Sequence, residues 1–63
     1  MTEQEILGYF RMAPGPKNLR NIADTLDVDI YVMRGILHAM VVRKKLKEVF
    51  PEPTLEIYYE AVV

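Results

Sequence analysis

The sequence predicts an α+β fold in which three helices precede a C-terminal β-hairpin. Two observations predict this class. Apolar residues recur at three- and four-residue spacing from the N-terminus to about residue 45, which is typical of amphipathic helices. They then alternate with other residues through "LEIYYEAVV", 55–63, as in a half-buried strand. The 63 residues allow a single domain, 1–63, with a thin core.

The first helix is expected to begin at a capping box. In "TEQE", the side chains of Thr2 and Glu5 satisfy each other's backbone donors. Its apolar residues follow on one side: Ile6, Leu7, Phe10 and Ala13. The helix ends at "APGP", 13–16, because proline cannot continue a helical hydrogen-bond ladder.

The second and third helices have N-caps at Asn18 and Asp29. The second helix carries a narrow apolar stripe: Leu19, Ile22, Ala23 and Leu26. The third helix is expected to extend to about residues 43–45 and to bury one face: Ile30, Met33, Ile36, Leu37 and Met40.

Two strands complete the predicted fold. "LKEVF", 46–50, is the first, and the period-two segment 55–63 is the second. "PEPT" lies between them as a loop, because its prolines cannot donate to a strand ladder.

The pattern "L..IA..L.V....V...L..M" resembles winged-helix proteins, a variety of helix-turn-helix protein. It is carried here by Leu19, Ile22, Ala23, Leu26, Val28, Val32, Leu37 and Met40, followed by "KKLKEV", 44–49. Size and layout are similar to small regulators of bacterial fimbrial operons, over residues 2–63. The resemblance implies that Ala23 lets two helices cross closely and that Val28 plugs their turn. It also implies a third helix in the major groove of DNA and a hairpin, the wing, on the flanking backbone.

The exposed face of the third helix provides the candidate base-reading residues. Its members recur at helical spacing: Tyr31, Arg34, Gly35, His38 and Val42. Arg34 suits bidentate contact with guanine, Tyr31 can bond a phosphate or pack on a thymine methyl group, and His38 can donate at the groove edge. Gly35 allows close approach of a partner, although close packing inside the fold explains it equally well.

Basic residues provide candidate phosphate contacts: Lys17, Arg20, Arg43, Lys44, Lys45 and Lys47. The net charge is only −1, but residues 30–47 hold five basic residues and no acid, whereas residues 48–63 hold four glutamates and no base. A second interpretation of Lys44 and Lys45 is that they complement the C-terminal end of the helix dipole.

Composition argues against an enzyme. The chain has no serine or cysteine, one histidine and no glycine-rich phosphate loop, so we expect no catalytic, cofactor or metal site. No apolar run approaches the roughly 20 residues that span a bilayer, and no basic region precedes the first apolar residues. The sequence therefore predicts a cytoplasmic protein with no membrane contact.

Two functions fit this pattern. The first is a small sequence-specific transcription regulator that binds double-stranded DNA. The second is a winged-helix protein-interaction module without DNA contact, using Ile30, Tyr31, Val32 and the acidic hairpin, whose tip carries Glu52 and no base. An apolar C-terminal segment is a candidate surface for a homodimer or another protein partner: Tyr58, Tyr59, Val62 and Val63.

Overall fold

A computed structural model describes residues 2–50 and 56–62 of the chain. The elements follow in the order α1 Glu3–Met12, β1 Lys17–Asn18, α2 Leu19–Leu26, α3 Ile30–Val42, β2 Leu46–Val49 and β3 Tyr58–Ala61. The α+β class, the three helices and the antiparallel pairing of the last two strands are confirmed. Strand β1 is an addition that the sequence did not predict. The predicted "PEPT" loop, Leu55 and Val63 lie outside the described residues.

The three strands form one antiparallel sheet in the order β1-β3-β2. Lys17 pairs with Tyr59 on one side of β3, and Glu48 pairs with Tyr59 on the other. The central strand is thus placed by both neighbours. Three helices with a small sheet of this order are compatible with a winged-helix-like α+β fold.

The core consists of nine residues that are almost fully buried: Ile6, Phe10, Ile22, Ala23, Met33, Leu37, Met40, Leu46 and Tyr59. Seven of them are predicted helix-face residues, so the inward faces of all three helices are confirmed. Leu7, Leu19, Leu26, Ile30 and Ile36 are half-buried at its margin. The placement of Ala13 on the buried side was wrong, because α1 ends at Met12 and Ala13 turns out to solvent.

The three predicted N-terminal caps are confirmed. Thr2 and Glu5 form the capping box of α1. The Asn18 carboxamide oxygen accepts from the backbone N–H of Arg20 at 2.7 Å. Asp29 caps α3, with one carboxylate oxygen accepting from the N–H groups of Tyr31 and Val32 at 3.0 and 3.2 Å.

Both α2 and α3 end in a left-handed residue that is not glycine. Asp27 has φ 54° and Lys44 has φ 62°. The next residue in each case folds back, so that Val28 N–H donates to the carbonyl of Ala23 at 3.0 Å and Lys45 N–H to that of Met40 at 2.9 Å. The second of these turns explains why α3 stops at Val42, one to three residues short of the expected end. The predicted plug is also confirmed, since Val28 packs against the core.

Among the described residues, no helix is both long and apolar enough to cross a membrane.

Candidate nucleic-acid interface

Helix α3 presents one face to the core and the other to solvent. Met33, Leu37 and Met40 are buried, while the predicted outer residues are all exposed: Tyr31, Arg34, Gly35, His38 and Val42. Tyr31 is 79% exposed and is held in the first turn of α3 by the Asp29 cap. The helix therefore offers a continuous outer ridge over its full length.

Gly35 lies at the middle of this ridge with open space around it. A Cβ atom added there meets nothing within 4 Å. Glycine inside a helix is less stable than alanine by roughly 1 kcal/mol. Close packing inside the fold therefore does not explain this glycine. Close approach of a partner is the explanation that is left.

Arg34 and His38 lie one turn apart on the side of the ridge nearest the sheet. The Nδ1 atom of His38 is 3.9 Å from a carboxylate oxygen of Glu48 in β2. Glu48 pairs with Tyr59 in the sheet, so both side chains lie on the same face of the hairpin. The carboxylate of Glu48 in β2 therefore lies beside His38 of the ridge.

The charges of Glu48 and Arg34 also act on the ionisation of the buried Tyr59 phenol. Burial raises its pKa above the ordinary value of 10.0, the Glu48 carboxylate raises that pKa further, and the Arg34 guanidinium lowers it. Arg34 and Glu48 are thus both close enough to one phenol to act on its ionisation.

Arg20 lies beside the first turn of α3. It is exposed at the start of α2, and it lines a small hollow of about 120 Å³ with residues of α3 and of the segment before β3: Asn18, Leu19, Ile30, Glu56 and Ile57. The carboxamide of Asn18 donates to the Glu56 carboxylate in this hollow. One predicted phosphate contact is therefore brought close to Ile30, the first residue of α3.

Three cations follow α3 at its far end, and two of them, Arg43 and Lys45, lie against α1. Arg43 binds Glu3, with Nη2–Oε2 and Nε–Oε1 distances of 2.9 and 3.3 Å. Lys45 lines a hollow with residues of α1. From Tyr31 to Arg43 the helix rises about 18 Å. This end of the ridge is consequently a separate cluster of positive charge.

The remaining two predicted contacts are occupied within the fold. Lys17 lies over the ring of Tyr9, 5.3 Å from its centroid. Lys47 binds Glu60 at 3.2 Å, and strand alternation directs both side chains to the face of the sheet opposite Glu48. Neither lysine is brought to the α3 ridge. Within residues 2–50 and 56–62, Arg20, Arg34, Lys44 and Lys45 form no ion pair.

The sequence interpretation missed the role of Glu48 in this surface. The signal was present, because Glu48 alternates with the core residue Leu46 along β2. A residue two positions from a buried one in a strand shares its face. That rule directs Glu48 toward the helices.

The expectation that Tyr59 contributes to an exposed apolar surface was wrong. Its side chain is 1% exposed and is the largest in the core, because it lies on the face of the sheet that packs against the helices. Tyr58 is half-buried and Val62 is 48% exposed, so part of the predicted surface is available.

Comparison with protein-family models, with curated proteins and with solved structures finds no match for this chain. No cluster of acidic or histidine side chains suited to a metal ion occurs in the part of the chain that the structure describes.

Proposed function

We propose that the chain is a winged-helix DNA-binding protein that regulates transcription, with α3 in the major groove and the β2–β3 hairpin as the wing. The observation that carries this proposal is the outer ridge of α3. It is exposed along its length, it bears Tyr31, Arg34 and His38, and it has an unpacked glycine at its centre.

Each ridge residue has a role that its chemistry supports. Arg34 reads guanine through paired N–H donors, an interaction worth about 1–3 kcal/mol of discrimination. Tyr31 bonds a phosphate or packs on a thymine methyl group, and His38 donates at the groove edge. Gly35 lets the base edges approach the backbone of α3.

The cations around the ridge position the domain on the DNA backbone. Arg20, Lys44 and Lys45 form no ion pair among the described residues and are free to neutralise phosphates. Arg43 must first leave Glu3, so its contribution to affinity is smaller. Lys47 lies with Glu60 on the sheet face that points away from α3, so it is not expected to contact DNA that is bound by α3. Phosphate contacts of this kind give affinity and salt dependence without sequence reading.

The test is selection of preferred duplexes from a random library, followed by anisotropy titrations at about 50 and 200 mM salt. Binding to the selected duplex is expected to weaken steeply with salt, and Arg34→Ala is expected to weaken it a further five- to hundredfold, as the loss of a bidentate base contact predicts. Arg11→Ala is the matched control, because Arg11 is an exposed arginine on α1. Equal effects of the two substitutions contradict the assignment of Arg34.

A second candidate function is a protein-interaction module. It is favoured by two exposed apolar side chains at the start of α3, Tyr31 and Val32, which are 79% and 55% exposed beside the Asp29 carboxylate. The same titration separates the two functions. Absence of binding to any duplex at low salt excludes the first and leaves the second.

A homodimer is part of the first proposal, since two copies of α3 would then meet half-sites one helical turn apart. The exposed edge of β2 is a poor dimer interface. The Val62 N–H donates to the Lys45 carbonyl, so the backbone of Lys45 points toward β3. Because this direction alternates along a strand, the backbone N–H and C=O groups that point outward from the edge of β2 are those of Leu46 and Glu48. Two-fold pairing there sets Lys47 against Lys47 or Glu48 against Glu48, which is destabilising. Val62 and Tyr58 are the better candidates, and light scattering of Val62→Asp tests them.

A further inference from the structure

Glu48 is the one acidic residue of β2, and it faces α3. Its side chain is 30% exposed, and one of its carboxylate oxygens is 3.9 Å from His38 Nδ1. Its strand partner is the buried Tyr59, which restricts the carboxylate to the margin between sheet and helix. Glu48 is therefore fixed at the base of the hairpin, next to the exposed ridge.

The carboxylate offsets the charge that this ridge offers to DNA. Arg34 and His38 lie one turn apart on α3, and the charges of Arg34 and Glu48 both act on the pKa of the Tyr59 phenol. The Glu48 carboxylate, 3.9 Å from His38, lowers the positive potential felt by any phosphate that approaches this part of the ridge. The same oxygens are acceptors of the kind that bind an amino group on a base edge.

We propose that Glu48 is a specificity-determining residue of the α3 surface: it disfavours binding to arbitrary duplexes and accepts a hydrogen bond from a base amino group, of cytosine or adenine, in the preferred one. This inference rests on the proposed DNA-binding function. Specificity of this kind combines repulsion of wrong partners with one new attraction in the right complex.

The test compares Glu48→Gln with Glu60→Gln in titrations with the library-selected duplex and with a scrambled duplex. Both substitutions remove one negative charge from the hairpin. The two glutamates are 30% and 31% exposed, and each lies within 4 Å of a nitrogen of a basic side chain, His38 or Lys47. They differ in direction, because Glu60 faces away from α3. Glu48→Asp is the third variant, since it keeps the charge and shortens the side chain.

Glu48→Gln is expected to bind the scrambled duplex about three- to tenfold more tightly, with a salt slope steeper by about one. Its preference for the selected duplex is expected to fall by a similar factor. Glu60→Gln is expected to change both quantities less than twofold, and Glu48→Asp to keep the weak binding to scrambled DNA. Melting curves of all variants establish that each is folded.

Other outcomes overturn the inference in distinguishable ways. Equal effects of Glu48→Gln and Glu60→Gln mean that net charge alone acts. An unchanged preference in Glu48→Gln, with selective binding by the parent chain, removes the role of Glu48 and leaves the DNA-binding function in place. Failure of the parent chain to bind any duplex overturns both proposals together.

Discussion

The guanidinium of Arg43, directly after α3, forms a two-point contact with the carboxylate of Glu3, in the first turn of α1. The two side chains are 51% and 35% exposed, so water and salt screen the pair. It joins the two ends of the helical core across 40 residues of sequence. Its geometry is favourable, yet exposed pairs of this kind contribute only about 0.2–1 kcal/mol.

Combining Glu3→Gln with Arg43→Gln is therefore expected to give a coupling energy of about 0.2–1 kcal/mol in urea unfolding at low salt, falling as salt screens the charges. The double-mutant cycle is needed because Glu3 also interacts with the N-terminal end of the α1 dipole. Arg43→Lys is expected to keep less than half of the coupling, since an ammonium group lacks the two-point geometry. A coupling energy of zero at low salt contradicts the contact.

Lys44 adopts a left-handed conformation that favours glycine. For an ordinary side chain this conformation costs roughly 1–2 kcal/mol, whereas glycine adopts it freely but loses more entropy on folding. Lys44→Gly is expected to stabilise the fold by about 0.5–1 kcal/mol in denaturant unfolding. Asp27→Gly is the matched comparison at the end of α2, and it is expected to gain less because aspartate tolerates this conformation better. Destabilisation by Lys44→Gly contradicts the assigned turn.

The helical half of the fold could be predicted because its signals are local. The caps at Thr2, Asn18 and Asp29 act on N–H groups within three residues, and the apolar spacing of each helix sets its buried face. The period-two pattern around Tyr59 likewise indicated a strand, although it did not indicate which side is buried.

The features that the sequence did not predict depend on distant residues. Strand β1 has two residues and exists because Lys17 and Asn18 pair with β3. A two-residue strand has no periodicity to detect. The pairing of Arg43, Lys47 and His38 with glutamates likewise depends on how the elements pack. The exposed face of α3 could be predicted from local periodicity, whereas which basic side chains pair with glutamates could not.

Gly35 is expected to separate stability from function. Gly35→Ala adds a methyl group in open space, so it is expected to stabilise α3 by about 0.5–1 kcal/mol. If base edges approach the ridge there, the same substitution weakens binding to the selected duplex by at least about fivefold, or 1 kcal/mol. Gly8→Ala in α1 is the matched control, since its added Cβ also meets nothing within 4 Å. It is expected to stabilise without changing DNA affinity. Equal DNA affinity of the two variants contradicts close approach at Gly35.

Asn18 has two functions that can be separated by substitution. Its oxygen caps α2, and its amide donates to the Glu56 carboxylate. Asn18→Ala removes both interactions and is expected to lose about 1–2 kcal/mol in thermal unfolding. Asn18→Asp keeps the cap but brings a second carboxylate to Glu56, which favours proton uptake by the pair. Its deficit is therefore expected to shrink as pH falls from 7 to 4. A pH-independent deficit contradicts the Asn18–Glu56 contact.

Tyr59 makes the fold sensitive to alkaline pH. Because burial and the Glu48 carboxylate raise the pKa of its phenol above 10.0, the folded state holds that proton more tightly than the unfolded chain does. The associated stability is fully present below the unfolded pKa and is lost as pH rises through the folded pKa. Urea unfolding from pH 8 to 11 is expected to show a decline that starts near pH 10 and is smaller in Tyr59→Phe. The exposed Tyr31 provides the control: Tyr31→Phe is expected to retain the decline of the parent chain. If Tyr59→Phe loses stability as steeply as Tyr31→Phe above pH 10, another group governs alkaline unfolding.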